Sequence, residues 1–174
     1  AFSIQSQVII TEIADPNNNS QARFIELTNI GDSAFDLTGY QLVRWTNANT
    51  AYTTSSAVDL SEFGSLQSKG ILTLANNTKF ETVYGVAPTK VVGSGGPADS
   101  NGDDNIAILD PNGSIHDVFG VPGTDGTGQP HEFEDGRAER KGSVTAPSST
   151  WDLNEWNIDN DAGAGDGALD APSG

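Results

Sequence analysis

Two stretches of this chain place oxygen-bearing side chains at alternate positions. "DPNNNSQARFIE", from Asp15 to Glu26, puts Asp15, Asn17 and Asn19 at positions 1, 3 and 5 of a twelve-residue frame, with Glu26 at position 12. "DSNGDDNIAILD" repeats the spacing with Asp99, Asn101 and Asp103, and ends on Asp110. Calcium favours dense, flexible sets of carboxylate, amide and carbonyl oxygens. Asp15, Asn17, Asn19, Glu26, Asp99, Asn101 and Asp103 are therefore candidate ligands, and calcium is the candidate ion. A helix–loop–helix site is refused, because it needs Gly at position 6 and flanking helices. Here position 6 is Ser20 or Asp104, and the flanks read as strands. The competing reading is turn chemistry, in which Asp and Asn bond their own backbone. Glu12 precedes the first loop. If it pairs near Phe24, Glu12 and Glu26 both approach the loop base, where like charges repel unless paired.

Other chemistry finds little support. A metal-dependent nuclease uses carboxylates with a histidine beside them. The two histidines are His116 and His131. His116 sits in the alternating run "SIHDVFG" next to Asp117, and neighbours on a strand face opposite ways, so no dyad is expected. It reads as a surface histidine. His131, near Glu132, Glu134 and Asp135, reads as part of a solvated loop. There is no Gly-x-Ser-x-Gly elbow, no His-Glu-x-x-His helix and no phosphate loop. "GSGGP" at 93–97 reads as a turn. Trp45, Tyr52, Trp151 and Trp156 offer a stacking surface for sugars or peptides, but burial tendency favours packing. A carboxylate pair for glycoside hydrolysis stays open, since any two of the 24 acids can meet in space. No catalytic residue is assigned.

The bulk properties narrow the partners. The 174 residues carry 24 acids against 8 bases, a net charge of −16. Residues 99–174 hold 16 of those acids and only 3 bases. DNA affinity comes largely from Lys and Arg on phosphates, so nucleic-acid binding by this domain alone is not expected. Cysteine and methionine are absent, which excludes disulfides and thiolate metal sites. No apolar run is long enough to span a membrane. The first residue is Ala1, as in a mature exported protein.

Short apolar runs broken by Gly, Asn, Asp and Pro clusters predict an all-β sandwich or barrel. Strands are expected at 7–13, 23–30, 35–37, 40–45, 57–60, 70–75, 105–109 and 114–120, the last two joined by the turn "DPNG". The basic run at 137–142 reads as an edge strand. One short helix is expected in "NNTKFETVYG", with Thr78 and Glu81 in capping-box spacing and Gly85 as the left-handed stop. Residues 159–174, all small, polar or acidic apart from Leu169, read as a flexible tail or linker after a domain spanning 1–158.

Four segments in order resemble the lamin-tail domain family, in its bacterial branch. They are "VIITEIADPNNNSQARFIELTNIGDSAFDLTGYQLVRW", "LQSKGILTLAN", "SNGDDNIAILDPNGSIHDVFG" and "AERKGSVTAPSSTWDLNEWNID". The resemblance implies an immunoglobulin-like β-sandwich, which agrees with the strand pattern. It also implies a non-catalytic accessory or interaction module of a secreted bacterial enzyme, foremost an extracellular nuclease. Its partners would be other domains of the same polypeptide or extracellular polymers. The alternative is a stand-alone exported binding or adhesive domain, dependent on calcium.

Overall fold

The computed structural model describes residues 7–172. Twelve strands and one helix follow one another along the chain. They are β1 (Val8–Ala14), β2 (Phe24–Asn29), β3 (Phe35–Asp36), β4 (Gln41–Trp45), β5 (Val58–Asp59), β6 (Ser65–Leu66), β7 (Ile71–Ala75), α1 (Lys79–Tyr84), β8 (Lys90–Val91), β9 (Asn105–Leu109), β10 (Ile115–Phe119), β11 (Arg137–Arg140) and β12 (Trp156–Asp159). One sheet has six strands in the order β12-β11-β1-β2-β7-β8, and a second has four in the order β10-β9-β4-β5. A small ribbon pairs β3 with β6. The fold is an immunoglobulin-like β-sandwich.

Alternation builds the core. Ile13, Ile25, Leu27 and Leu74 of the large sheet are buried against Leu42, Ile106, Ile108 and Phe119 of the small one. Phe119 and Phe133 are fully buried and meet edge to face at 5.4 Å. Burying each such ring contributes about 2–3 kcal/mol.

A buried ion pair ties the two sheets together. β1 runs past the end of β11, so the outward Ile10 N–H has no ladder partner on that side. Asp117 of β10 accepts that N–H at 2.9 Å, and also the Ser148 N–H at 2.9 Å. The same carboxylate takes two nitrogens of Arg140, at 3.1 and 3.3 Å. Burial pushes the Asp117 carboxyl up, against the pull of Arg140 and the two backbone donors.

Two expectations about elements are corrected. The basic strand β11 lies inside the large sheet, between β12 and β1. Arg140 does not blunt an edge; it is buried on Asp117 and Glu155, with its guanidinium 4.7 Å above the Trp156 ring. The helix starts on a different cap. Thr78 makes no capping bond, and the Asn77 side chain accepts the Lys79 N–H instead. Gly85 closes the helix at φ 74° as expected. The strands β6, β8 and β12 were not expected; β6 and β8 have two residues each and β12 only four, too few to carry a clear periodicity.

Residues 159–172 do more than leave the domain. Asp159 is the last residue of β12, and its carboxylate accepts the Asp166 and Gly167 N–H groups. The chain then runs back over the β1–β2 loop. Asn17 N–H donates to Leu169 O, and Asn18 exchanges two hydrogen bonds with the Ala171 backbone, each 2.9 Å.

Candidate functional site

The outer face of the large sheet holds its least expected feature. Glu139, Glu12 and Glu26 lie side by side on β11, β1 and β2, as direct cross-strand partners. The row ends in neutral groups, Asn157 opposite Glu139 and Thr73 opposite Glu26. Like charges directly opposite one another destabilise a sheet. Three devices reduce that cost. Glu26 accepts the Thr11 hydroxyl at 2.6 Å, and Arg137 pairs with Glu139 at 3.2 Å. Glu12, in the middle, keeps its proton to a higher pH than an ordinary glutamate. Burial, then the charges of Glu139 and Glu26, push its pKa from 4.5 to about 7, against the pull of Arg137.

Glu12 lines a groove of 320 Å3 with Tyr84, Arg137, Pro16 and the returning segment 168–172. Burial and the nearby Glu12 charge push the Tyr84 hydroxyl up to about 12. The site can store a proton and present acidic groups to a cationic partner. It lacks an activated nucleophile, and neither histidine reaches it.

Several of the residues singled out as calcium ligands are bonded to the protein itself, while Asp103 Oδ1 is buried without a hydrogen-bond partner. Asp15 is buried and binds Arg23 Nε at 2.5 Å. Asn19 caps a short 3-10 turn by accepting the Gln21 N–H. The Asn17 N–H is bonded to Leu169 O, and Glu26 stands in the sheet row. In the second loop Asp99 accepts from Asn76, Ser94 and the Gly95 N–H. Asp103 accepts from Asn47, Asn101 is exposed, and neighbouring Asp104 binds Arg44 at 3.0 Å. Asp110 caps its own turn through the Asn112 and Ser114 N–H groups. Among the described residues, no group of three or more Asp, Glu or His side chains is placed to hold a metal. The register also differs from the expected one. Glu12 faces Glu26, and Phe24 faces Ala14, with a bulge between Ile10 and Glu12 shifting the register.

Both histidines are corrected. His116 is half-buried; its Nε2 lies 3.0 Å from Val8 O and its ring meets Tyr40 and Phe35. His131 is buried between Phe119 and Trp151, and that desolvation lowers its pKa. Glu132 is buried as well. Trp45 stacks edge to face on Tyr52 at 5.5 Å, and Trp156 on Phe119 at 4.8 Å. These rings pack the sandwich, as burial tendency suggests.

The family model for the Lamin Tail Domain matches residues 3–123. The chain belongs to the Lamin Tail Domain family. The match covers β1 to β10, including Glu12 and Glu26, while Glu139 and the Asp117 partner Arg140 lie beyond it. Comparison with the curated proteins finds no match. This Lamin Tail Domain is immunoglobulin-like, an architecture consistent with a non-catalytic module. Among the described residues, no helix is long and apolar enough to cross a membrane.

Three features escaped sequence reasoning: the position of Glu139 in the row, the Asp117–Arg140 pair and the burial of His131. For Asp117 a signal existed, since its neighbours Val118 and Phe119 are apolar and the strand packs inward there.

Proposed function

We propose that this chain is a non-catalytic interaction module of a secreted bacterial enzyme, foremost an extracellular nuclease. Membership of the Lamin Tail Domain family over residues 3–123 carries this reading. The site supports it. His131 is enclosed by aromatic rings and His116 is bonded to a main-chain oxygen. Neither is placed to activate water or a hydroxyl. The glutamate row lies half-buried on the outer sheet face, with Glu12 in a groove beside Tyr84 and the segment 168–172, an arrangement suited to recognition. The bacterial origin, the export and the nuclease rest on the resemblance of the four sequence segments.

Intact-mass analysis of the native polypeptide tests the setting. The expected result is a polypeptide in the culture medium that carries a hydrolase domain beside this one. A native polypeptide made of this domain alone, or one retained inside the cell, overturns it.

A further inference from the structure

β12 closes one side of the large sheet, and no described strand pairs with its outer edge. The register fixes which backbone groups face that edge. Lys141 N–H donates to Glu155 O at 2.8 Å, so residues 141 and 155 form a hydrogen-bonded pair. Glu139 with Asn157, and Arg137 with Asp159, follow at the same phase. The backbones of Trp156 and Ile158 therefore point outward. Trp156 N–H is already given to Leu153 O. Trp156 C=O and Ile158 N–H have no hydrogen-bond partner among the described residues.

These two groups flank Asn157 on one edge. A parallel strand satisfies both with a single residue, whose N–H reaches Trp156 O and whose C=O takes the Ile158 N–H. An antiparallel strand would pair with Ile158 through both its N–H and its C=O, and Gly165 packs against that carbonyl, where a Cβ on Gly165 would lie 2.4 Å from the Ile158 oxygen. Natural edges are commonly blunted with Lys or Pro. The four residues of β12, Trp-Asn-Ile-Asp, contain neither.

A groove of 610 Å3 runs beside this edge. Pro130, Leu153 and Ile158 give it an apolar lining, and Leu153 is 45% exposed. Its charged lining residues are Glu139, Asp159 and Asp166, with no Lys or Arg among them. The adjacent Arg137 is shared between Glu139 and Asp159, which leaves the acids in excess.

We propose that the β12 edge and its groove dock an extended peptide segment with alternating basic and apolar residues, added to the sheet as a parallel strand. The backbone groups supply the pairing, the groove takes the apolar side chains and the acidic rim selects the basic ones. This rests on the reading of the domain as an interaction module and names its class of partner.

The probe is a fluorescein-labelled octapeptide of alternating lysine and valine, titrated into the whole chain by fluorescence polarisation and by amide NMR. Saturable binding is expected, with the Ile158 amide shifting and its hydrogen exchange slowing. N-methylation of the central peptide bonds should weaken binding about fivefold, the loss expected for the one hydrogen bond given to Trp156 O. Leu153→Asn should weaken it too, with the rest of the amide spectrum unchanged. Four results overturn the proposal: no binding, equal binding of a glutamate–valine octapeptide, binding that leaves the Ile158 amide unmoved, or protection of that amide on raising protein concentration alone. The last would assign the edge to a second copy of this chain. Each leaves the module reading intact, because that reading fails separately, on catalytic turnover.

Discussion

Glu12 and Glu139 face each other across β1 and β11 as a non-hydrogen-bonded pair, the closer of the two antiparallel pair types. The phase follows from the bond three residues along, where Asp15 N–H donates to Gly136 O at 2.8 Å. Glu26 crowds Glu12 from the other side. The folded protein relieves this by keeping Glu12 protonated up to about pH 7.

Stability should therefore fall as pH rises through that window. A carboxyl whose pKa is raised on folding binds more protons in the folded state between its unfolded and folded values. For Glu12 the interval runs from 4.5 to about 7, and the cost is fully present above it. Glu12→Gln should remove the slope and raise stability at pH 8 by about 1–3 kcal/mol, allowing for partial solvent screening. Urea unfolding of both proteins at pH 5 and pH 8 measures this.

The Asp117–Arg140 pair should dominate the sensitivity of the sandwich to polar substitution. Asp117→Ala removes the buried partner of the Arg140 guanidinium, leaving it Glu155 alone, and leaves the Ile10 N–H without its acceptor. The expected loss is about 3–5 kcal/mol by denaturant unfolding. Asp117→Asn keeps an acceptor for Ile10 and should cost less. Equal stability of Asp117→Ala and the parent would remove this pair as the tie between the sheets.

The returning C-terminal segment should stabilise the β1–β2 loop. Ending the chain after Asp161 removes the Leu169 and Ala171 contacts with Asn17 and Asn18. A loss of about 2–3 kcal/mol, or several degrees in melting temperature, is expected. The truncation also opens the groove over Glu12, so its titration should move back toward ordinary glutamate values. Carboxyl-detected NMR of the two forms reads that shift.

Much of the sandwich was legible in the sequence, because its long strands alternate cleanly. "QVIITEI", "RFIELTNI" and "NIAIL" carry their burial in their composition. β6 and β8 were not legible, being only two residues each. β11 misled because Lys and Arg usually mark edges; a buried Asp on another strand reversed that meaning for Arg140. The glutamate row depends on register across two interfaces, and register is a property of loops and bulges rather than of the strands themselves. The Asx loops carry a calcium spacing in a composition crowded with Asp and Asn, and in the fold several of these side chains bond nearby backbone and arginines.

Those bonds give a further expectation. Asp15 is engaged by Arg23, and Asp99 by Asn76, Ser94 and Gly95, so calcium would have to displace these partners to be held by those two carboxylates. Adding millimolar calcium, or removing it with chelator, should move the melting temperature by less than about 1 °C, against several degrees for a ligand at a hundredfold excess over Kd. A shift of several degrees would show that one of these loops rearranges around the ion.

The most direct test is turnover. The purified chain, incubated with DNA, RNA and polysaccharide in the presence of magnesium and calcium, should release no product above buffer. Hydrolysis of any of them, abolished by Glu12→Gln in a variant that still folds, would make the glutamate row an acid–base site and contradict the account.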